Sequence, residues 1–598
     1  MKFLESLEKS YIIADGAFGT YYNKKYRTEE LPEKANIYHE DRVIEIHKAY
    51  IKAGASLIRT NSFASNTRNI GLTVEDVLDN VRKSVELAKE AIKQTEQEDG
   101  LKGDVYVAGD IGPIDSYDSA HEYELIAKTM CKAGVDALCF ETQSDTIQLI
   151  DAIAKVKEEY DIPVIVQYAL DQFGYSSTGF YAKNLLRKTA ESGLVDVMGF
   201  NCGIGPGHMK SMLKECFNKN YKKADGSLIY FSALPNAGYP ENISNRLVFA
   251  SDTSTYFSDT AADYLSLGVR MIGGCCGTTP LHIEKLKAVI ESLDIKPAKL
   301  AEPTEELDVE VRDNAFFAAK KKKLVAVELA PPFDCDDEKL MNAAHILAKN
   351  KVDVVTFPDS PSGRTRVDSV LMAAKVAREN GLCVMPHICC RDKNTIAIRS
   401  QLMGAYVNGI DNFLVITGDP VPLSARNSIK SVYQFDSVGL MNLIDDINSD
   451  KLRESPLVYG GAINQNRRNL EHEIERVKKK MKAGARFFMS QPAFDDESVE
   501  RLRRIKEETS CRMLCGIMPF VSYKNALFMK NEIAGILVPD EIIERYPKEA
   551  SKEEGQAVGI ELALEMIEKM NDFADGYYFS FPFNRVEMLE KILDAGLI

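Results

Sequence analysis

The sequence predicts an α/β protein built as two TIM (β/α)8 barrels in tandem. Its 598 residues exceed what one hydrophobic core usually supports, which favours two large domains. Short Val- and Ile-rich runs alternate with long amphipathic stretches, as expected for strands that helices cover on both faces. Eight such runs in each half match the strand number of one barrel.

The predicted strands of the first half lie between residues 12 and 273, and those of the second half between residues 325 and 581. The first set is Ile12–Ala14, Leu57–Thr60, Val105–Ala108, Ala137–Phe140, Val164–Tyr168, Val195–Phe200, Ile229–Ser232 and Met271–Gly273. The second set is Val325–Glu328, Val352–Phe357, Leu382–His387, Phe413–Thr417, Leu457–Gly460, Arg486–Ser490, Cys511–Ile517 and Gly576–Phe581.

The domain boundary is predicted near residue 300. Residues 297–323 contain two prolines, an acidic segment and the run Lys320–Lys323, but no clear strand pattern. We therefore expect a first domain over residues 1–297, a linker over 298–315 and a second domain over 316–598.

Composition excludes several classes of partner. The net charge is -15, and Lys320–Lys323 is the longest basic tract, so a nucleic-acid surface is not expected. Met1–Ser10 lacks the apolar core of a signal peptide, and no run approaches the roughly 18 apolar residues of a membrane span. The sequence thus predicts a soluble, cytoplasmic protein without membrane contacts, whose 12 cysteines stay reduced and available as metal ligands.

Three cysteines follow predicted strands of the first half. Cys202 comes after the sixth strand, and Cys275 and Cys276 come after the eighth, between glycines that permit a sharp bend. The carboxyl ends of barrel strands carry the chemistry of this fold, so the three thiols can converge there. Three soft ligands with an open fourth position suit catalytic zinc, whereas buried inert thiols are the equally common alternative.

Five motifs in the first half occur in the order of the homocysteine S-methyltransferase family, which this half resembles along nearly its whole length. They are Asp15–Thr20 (DGAFGT), Arg59–Phe63 (RTNSF), Phe140–Thr142 (FET), Gly199–Cys202 (GFNC) and Gly273–Thr278 (GGCCGT).

The resemblance implies that Cys202, Cys275 and Cys276 bind Zn2+, with the homocysteine sulfur as fourth ligand. Zinc coordination releases the proton of a thiol and presents a thiolate at neutral pH. The resemblance also implies that Glu141 binds the ammonium group of homocysteine, with Asp15 and the Asp15–Gly16 backbone near the substrate. A turn-forming Asp beside Gly is the alternative interpretation of Asp15.

The second half carries six motifs that each follow a predicted strand. Their order resembles methylenetetrahydrofolate reductase, a flavin-containing barrel family, over about residues 310–598. The motifs are Val327–Pro332 (VELAPP), Thr356–Asp359 (TFPD), Pro386–Cys390 (PHICC), Ile416–Pro420 (ITGDP), Ser490–Phe494 (SQPAF) and Gly516–Pro519 (GIMP).

This second resemblance implies roles for five residues. Glu328 would protonate the folate N10 and open the methylene bridge to an iminium that accepts hydride from reduced FAD, so its pKa should be raised. Asp419 would lie near the flavin and pterin, and Gln491 would hydrogen-bond the pterin edge. Thr356 and His387 would contact FAD, which NAD(P)H reduces.

The charged stretch Asn464–Lys482 resembles the helix that this family places against the FAD ribose and diphosphate. Glu473, Arg476 and Lys480 are the candidate contacts, because cationic groups suit the anion. A solvated helix face is the alternative for each of them, and Asn464 stands where better-known reductases have His. Cys389 and Cys390 have no third soft ligand at another strand end, so we predict no metal in this half.

Together the two halves predict a bifunctional enzyme that reduces 5,10-methylenetetrahydrofolate to 5-methyltetrahydrofolate and methylates homocysteine to methionine. No Asp-x-His-x-x-Gly cobalamin motif occurs, so the methyl donor stays open among S-methylmethionine, betaine, a folate and a separate corrinoid protein. The sequence leaves open whether the chain forms a homo-oligomer. A different hypothesis makes one barrel a catalytically idle scaffold, although a scaffold needs none of the residues named above.

Overall fold

The computed structural model describes residues 2–598 except 71–72, 101–102, 115–118, 218–219, 224, 239–240, 244–245, 249–252, 295, 300–322, 351, 423–424, 427, 453, 534–535 and 550. The chain divides into two compact units, residues 1–307 and 308–598. The predicted linker over 298–315 lies outside the described residues from residue 300 onward.

The first unit contains eight barrel strands that run parallel to one another. The strands are β1 Ile12–Ile13, β2 Leu57–Arg59, β3 Tyr106–Ile111, β4 Ala137–Gln143, β5 Val164–Tyr168, β6 Val197–Asn201, β7 Leu228–Leu234 and β8 Val269–Ile272. Each pairs with its chain neighbours, β1 pairs with β8, and a parallel bridge between Ala14 and Leu57 joins β1 to β2. The ring of strands is thereby closed.

The second unit forms a closed parallel barrel in which consecutive strands are neighbours. The strands are β9 Leu324–Glu328, β10 Val354–Phe357, β11 Val384–Cys389, β12 Asn412–Ile416, β13 Val458–Ile463, β14 Phe487–Pro492, β15 Met513–Ile517 and β16 Gly576–Ser580. The prediction of two tandem TIM barrels is therefore confirmed.

Amphipathic helices follow most strands and cover the outside of each barrel. In the first unit the α-helices are Lys2–Lys9, Gly19–Tyr26, Ala35–Tyr38, Glu40–Lys52, Thr67–Ile70, Val74–Asp99, Ser119–Ala133, Ile147–Lys157, Ala182–Glu191, Pro206–Cys216, Ser254–Ala262 and Pro280–Ser292. In the second they are Glu338–Lys349, Ser369–Asn380, Thr395–Val407, Ser437–Asp450, Leu470–Lys482, Asp496–Thr509, Tyr523–Glu532, Asp540–Glu544, Lys552–Met570 and Glu587–Asp594.

Three short strands lie outside the barrels. Tyr221–Lys222 pairs antiparallel with β7, and Glu241–Ile243 pairs with Arg246–Val248. Among the described residues, no helix combines the length and the apolar character that crossing a membrane requires.

The interior of the first barrel changes from apolar to polar along the strands. An inner cluster that includes Leu57, Ala108 and Ile165 fills its lower part, and the helix Lys2–Lys9 adds Phe3 and Leu7 to it. Because side chains two residues apart share one face of a strand, the next interior positions belong to polar residues. These are Arg59, Asp110, Glu141 and Gln167, and on β6 Asn201 lies four residues beyond Val197; all are buried.

The second barrel follows the same rule. Its inner cluster contains Ala326, Val354, Met385 and Met489. Four candidate site residues lie two positions beyond these on the same strands. They therefore occupy the same interior face, at the carboxyl ends of the strands. They are Glu328, Thr356, His387 and Gln491.

The observed strand ends differ from the predicted ones by a few residues, and β3 shows why. The predicted run ends at Ala108. The strand instead continues through Asp110 to Ile111, since the Asp110 side chain faces a buried polar cluster. The carboxyl end of a barrel strand is therefore harder to predict from sequence when its interior residues are polar.

Candidate functional site

The backbone around Cys202 adopts a conformation that few residues accept. Cys202 directly follows β6 with φ of 54°, and Gly203 has φ of 69°. A Cβ atom on Gly203 would lie 2.1 Å from the carbonyl oxygen of Leu170, so glycine is required there. The Cys202 amide donates to the carbonyl of Leu234 at 3.1 Å. The turn therefore fixes Cys202 at the carboxyl end of its strand.

The segment that carries Cys275 and Cys276 is tied to two other strand ends. The Gly274 amide donates to the Asp15 carbonyl at 3.0 Å, and the Cys275 amide donates to the Pro235 carbonyl at 2.8 Å. A Cβ atom on Gly274 would lie 2.5 Å from Oγ1 of Thr278. The glycine thus allows the close approach that turns both cysteines towards Cys202.

The three sulfurs gather at one point. The Sγ atoms of Cys202, Cys275 and Cys276 all lie within 4.8 Å of one another, and those of Cys202 and Cys276 are 3.7 Å apart. Tetrahedral zinc with Zn–S bonds of about 2.3 Å places its sulfurs about 3.8 Å apart. Across the described part of the chain, no other group of three His, Cys, Asp or Glu side chains is arranged to hold a metal. The donor set therefore fits zinc.

The three thiols influence one another strongly. Hydrogen bonds from Cys275 and Cys276 lower the pKa of Cys202 to about 3, and the Cys202 thiolate raises the pKa of Cys276 to about 12. Ionisation of Cys202 therefore opposes ionisation of Cys275 and Cys276. A bound divalent cation is what permits the remaining two thiols to lose their protons at neutral pH.

A buried guanidinium stands beside the sulfurs. Nε of Arg59 donates to Oδ1 of Asp15 at 2.8 Å, and Nη1 donates to Oε2 of Glu141. Nη2 donates to the carbonyls of Gly16 and Gly274, each at 2.9 Å. Burial opposes the charge of Arg59, but the Glu141 and Asp15 carboxylates outweigh it and raise the pKa of Arg59. Arg59 thus joins the ends of β1, β2, β4 and β8.

Asn201 connects the carboxylate cluster to the sulfurs. Its Nδ2 lies 3.2 Å from Oε2 of Glu141, 2.8 Å from Oγ1 of Thr142 and 3.8 Å from Sγ of Cys275. The Thr142 amide donates back to Oδ1 of Asn201 at 2.8 Å. The predicted residues Asp15, Gly16 and Glu141 therefore lie in one site with the three cysteines.

Arg59 and Asn201 lie within the sequence motifs, but the sequence-based prediction gave neither residue a role. Both residues could have been found in the sequence, because each is a charged or amide side chain at the last position of an otherwise apolar strand. In a barrel such a position faces the interior, where an unpaired charge is costly, so a paired functional group is expected.

In the second unit, Glu328 ends β9 between two hydroxyl groups of β16. Tyr578 donates to Oε2 of Glu328, and Oγ of Ser580 lies 3.1 Å from Oε1. Burial raises the pKa of Glu328, although Tyr578 and Ser580 oppose the rise. The carboxyl group therefore holds its proton at higher pH than an exposed glutamate. Tyr578 and Ser580 were absent from the sequence-based site.

Asp419 lies at the exposed mouth of the same barrel. Its Oδ2 accepts from the Ser362 amide at 2.6 Å, and its carbonyl accepts from Nη1 of Arg391 at 2.9 Å. Arg391 is buried, pairs with Asp392 and also donates to the Ser360 carbonyl at 3.1 Å. Arg391, which the sequence did not single out, therefore holds the loop that carries Asp419.

Two predicted flavin contacts are buried in the barrel mouth. Thr356 is fully buried, and burial lowers the pKa of His387 to about 3, so this imidazole is neutral. Nε2 of His387 has no hydrogen-bond partner among the described residues. A buried polar atom without a partner is costly, so a ligand with polar edges fits this position.

Residues of the helix Leu470–Lys482 already have partners within the protein. Oε1 of Glu473 accepts from the Asn464 amide at 2.9 Å, and Oε2 pairs with Nε of Arg467 at 3.0 Å. Nζ of Lys480 donates to the Ala462 carbonyl at 2.7 Å, and burial lowers its pKa to about 8. The Arg476 side chain is about two-fifths exposed, so it is more accessible than Lys480, the other cation among the predicted residues.

Gln491 ends the interior face of β14. Its carbonyl accepts from Nε2 of Gln465 at 2.9 Å, so the backbone is fixed while the partly exposed side chain remains at the barrel mouth. Gln491, Glu328 and His387 therefore stand on three strands of one barrel end.

Two family models match the chain, one in each unit. Residues 12–290 match the family described as Homocysteine S-methyltransferase, and residues 314–595 match the family Methylenetetrahydrofolate reductase.

Curated relatives match part of the chain. The methionine synthases of Mycobacterium leprae and Mycobacterium tuberculosis are each 28% identical to it over 312 and 322 residues, which is 48% of this chain and 25% of each relative. The matched part thus spans about a quarter of those relatives' length.

The solved structures that the chain is similar to include the homocysteine methyltransferase MmuM from Escherichia coli. Its apo form is 23% identical with a TM-score of 0.38, over 47% of this chain and 95% of that chain. Its metallated form is 22% identical with a TM-score of 0.39, over 47% and 98%.

Replacing Arg59 by Met is expected to lower the free energy of unfolding of the first unit by about 3–5 kcal/mol, because Asp15 and Glu141 would remain buried without their cation. Urea unfolding of the full chain measures the change. Arg82→Met is the control, since the Arg82 side chain is 41% exposed and its ion pairs with Glu75 and Asp79 lie at the surface. That control should change stability by at most about 1 kcal/mol. Equal effects would contradict the assigned role of Arg59.

Proposed function

Because the chain combines a homocysteine S-methyltransferase domain with a methylenetetrahydrofolate reductase domain, we propose that it catalyses two consecutive reactions of one-carbon metabolism. The second barrel reduces 5,10-methylenetetrahydrofolate to 5-methyltetrahydrofolate with FAD and NAD(P)H. The first barrel transfers a methyl group to homocysteine and yields methionine. The convergence of three thiols at one barrel end is the observation that carries the proposal.

In the first barrel, Cys202, Cys275 and Cys276 would hold Zn2+, whose chemical contribution is to keep the homocysteine sulfur deprotonated at neutral pH. Both oxygens of Asp15 accept hydrogen bonds from Arg59, one from its backbone amide and one from Nε. We therefore assign Asp15 to orient Arg59, and Glu141 to receive the ammonium group of homocysteine. Arg59 and Asn201 fix the Glu141 carboxylate beside the sulfurs.

In the second barrel, Glu328 is the proton donor to the folate N10, and the flavin would supply the hydride. Tyr578 and Ser580 orient the Glu328 carboxyl, and its raised pKa keeps the proton available. Thr356 and His387 would bind the flavin, with Arg476, Lys480 and Glu473 along its ribose and diphosphate. Gln491 would bind the pterin, and Asp419 would lie near the flavin and the pterin at the barrel mouth.

Cys275→Ala is expected to remove zinc and homocysteine methylation but to leave folate reduction intact, because each barrel carries its own site. Metal analysis and the two activities of the purified full chain measure this. Cys131→Ala, a partly buried thiol outside the group of three, is the matched control and should keep both activities and the metal. Loss of both activities in Cys275→Ala would contradict independent sites.

Glu328→Gln is expected to keep FAD and its reduction by the nicotinamide but to lose folate reduction, because the amide cannot donate the acidic proton. In the unmodified protein, folate reduction should be retained below the raised pKa of Glu328 and decline as pH rises through it. Flavin absorbance and folate turnover measure the two half-reactions. Glu497→Gln, on an exposed helix position, is the control. Folate turnover at the normal rate in Glu328→Gln would remove Glu328 from this role.

Isotope tracing tests whether the reactions are consecutive. Labelled 5,10-methylenetetrahydrofolate, NAD(P)H and homocysteine are supplied to the full chain, and the label is expected in methionine. Label transfer by the chain alone assigns the methyl donor to the folate, and transfer only after addition of a corrinoid protein assigns it to that carrier. Label absent from methionine in both cases, while S-methylmethionine or betaine supports methylation, would overturn the consecutive scheme.

A further inference from the structure

Asp110 is a third buried carboxyl group in the first barrel, beside Asp15 and Glu141. It lies on β3 with 4% of its surface exposed, opposite Cys139 of β4. Its backbone is fixed on both sides, since its amide donates to Oγ1 of Thr60 at 2.9 Å and its carbonyl accepts from Oγ of Ser62 at 2.8 Å. The side chain therefore has little freedom to leave the barrel interior.

The charges in this cluster do not balance if every carboxyl group is ionised. Arg59 is the cation that contacts the cluster, and its side-chain hydrogen bonds go to Asp15, Glu141 and the carbonyls of Gly16 and Gly274. Oδ1 of Asp110 has no hydrogen-bond partner among the described residues. An ionised Asp110 would thus be a buried anion without a cation, which is the costly arrangement.

A proton on Asp110 removes this cost. Burial and the neighbouring Glu141 carboxylate raise the pKa of Asp110 well above its ordinary value, although Arg59 opposes the rise. The two carboxyl groups lie within hydrogen-bonding reach of each other. The charged and titratable groups that face Asp110 are Arg59 from β2, Glu141 and Cys139 from β4, and Asp15 after β1.

A carboxylate has about four lone-pair positions, two on each oxygen. On Glu141, Oε2 already accepts from Nη1 of Arg59 and from Nδ2 of Asn201. Oε1 therefore offers the two remaining positions. One proton from Asp110 and one from an incoming ammonium group would complete the set.

We propose that Asp110 is a carboxylic acid, protonated at neutral pH, that donates a hydrogen bond to Glu141 and so positions the Glu141 carboxylate for the α-ammonium group of the amino-acid substrate. This inference rests on the proposed methyl transfer to homocysteine. Asp110 is a positioning residue, because it acts through Glu141. It also keeps the recognition site at one net negative charge, which one ammonium group neutralises.

The test compares Asp110→Asn with Asp110→Ala in the full chain. The Asn amide is neutral and can donate to Glu141 as the acid does, whereas Ala cannot. Asp110→Ala is expected to raise the KM for homocysteine about tenfold, the size of one hydrogen bond to a charged group, with little change in kcat or bound zinc. Asp110→Asn should restore the KM towards that of the wild type. In the wild type, the KM should rise at alkaline pH as Asp110 ionises, and this rise should be absent in Asp110→Asn.

A spectroscopic readout is independent of turnover. Infrared difference spectra of wild type against Asp110→Asn should show the carbonyl band of a protonated carboxylic acid at neutral pH in the wild type only. Absence of this band, or an Asn variant as impaired in KM as Ala, would show that Asp110 acts as an anion and would overturn the inference. Unchanged KM in both variants would leave a structural role only and would overturn it equally. If the wild type itself does not methylate homocysteine, the proposed function fails, and the infrared result still decides the protonation of Asp110.

Discussion

The buried guanidinium of Arg59 is the interaction on which the first site depends. Its side chain donates to Asp15 after β1, to Glu141 near the end of β4 and to the carbonyl of Gly274 before Cys275, so one side chain links three segments of the chain. Such an ion cluster is stable only while every partner is present, because each buried charge left alone is costly. The sulfurs and the carboxylate that would recognise a substrate are therefore coupled through Arg59 and Asn201.

The alternation of side chains along the strands positions the site residues in both barrels. Interior side chains recur every second residue along a strand, and the barrel is filled with apolar groups up to its middle. The next interior position towards the carboxyl end of each strand is the first that can place a polar side chain at the open end of the barrel. Arg59 and Glu141 occupy it in the first barrel, and Glu328 and His387 in the second. The fold fixes these places, whereas the residue types decide the chemistry.

The two sites manage protons in different ways. In the first, several acidic groups surround one cation, and ionisation of one thiol opposes ionisation of the other two, so a bound cation favours the ionised form of all three. In the second, a single carboxyl group is held between the hydroxyls of Tyr578 and Ser580 and retains its proton through burial. The first arrangement suits binding a metal and an ammonium group, and the second suits donating a proton.

The sequence by itself determined the two-barrel architecture, the positions of the strands, the three cysteines and most of the candidate acids, because strand periodicity and motif order are local properties of the chain. Only the tertiary structure decided which of these residues have partners. It paired Glu473 with Asn464 and Arg467, tied Lys480 to Ala462, and placed Tyr578 and Ser580 beside Glu328. It also extended β3 through Asp110. These contacts join residues of different strands, helices and loops, and their energies depend on burial and distance, which a linear pattern does not contain.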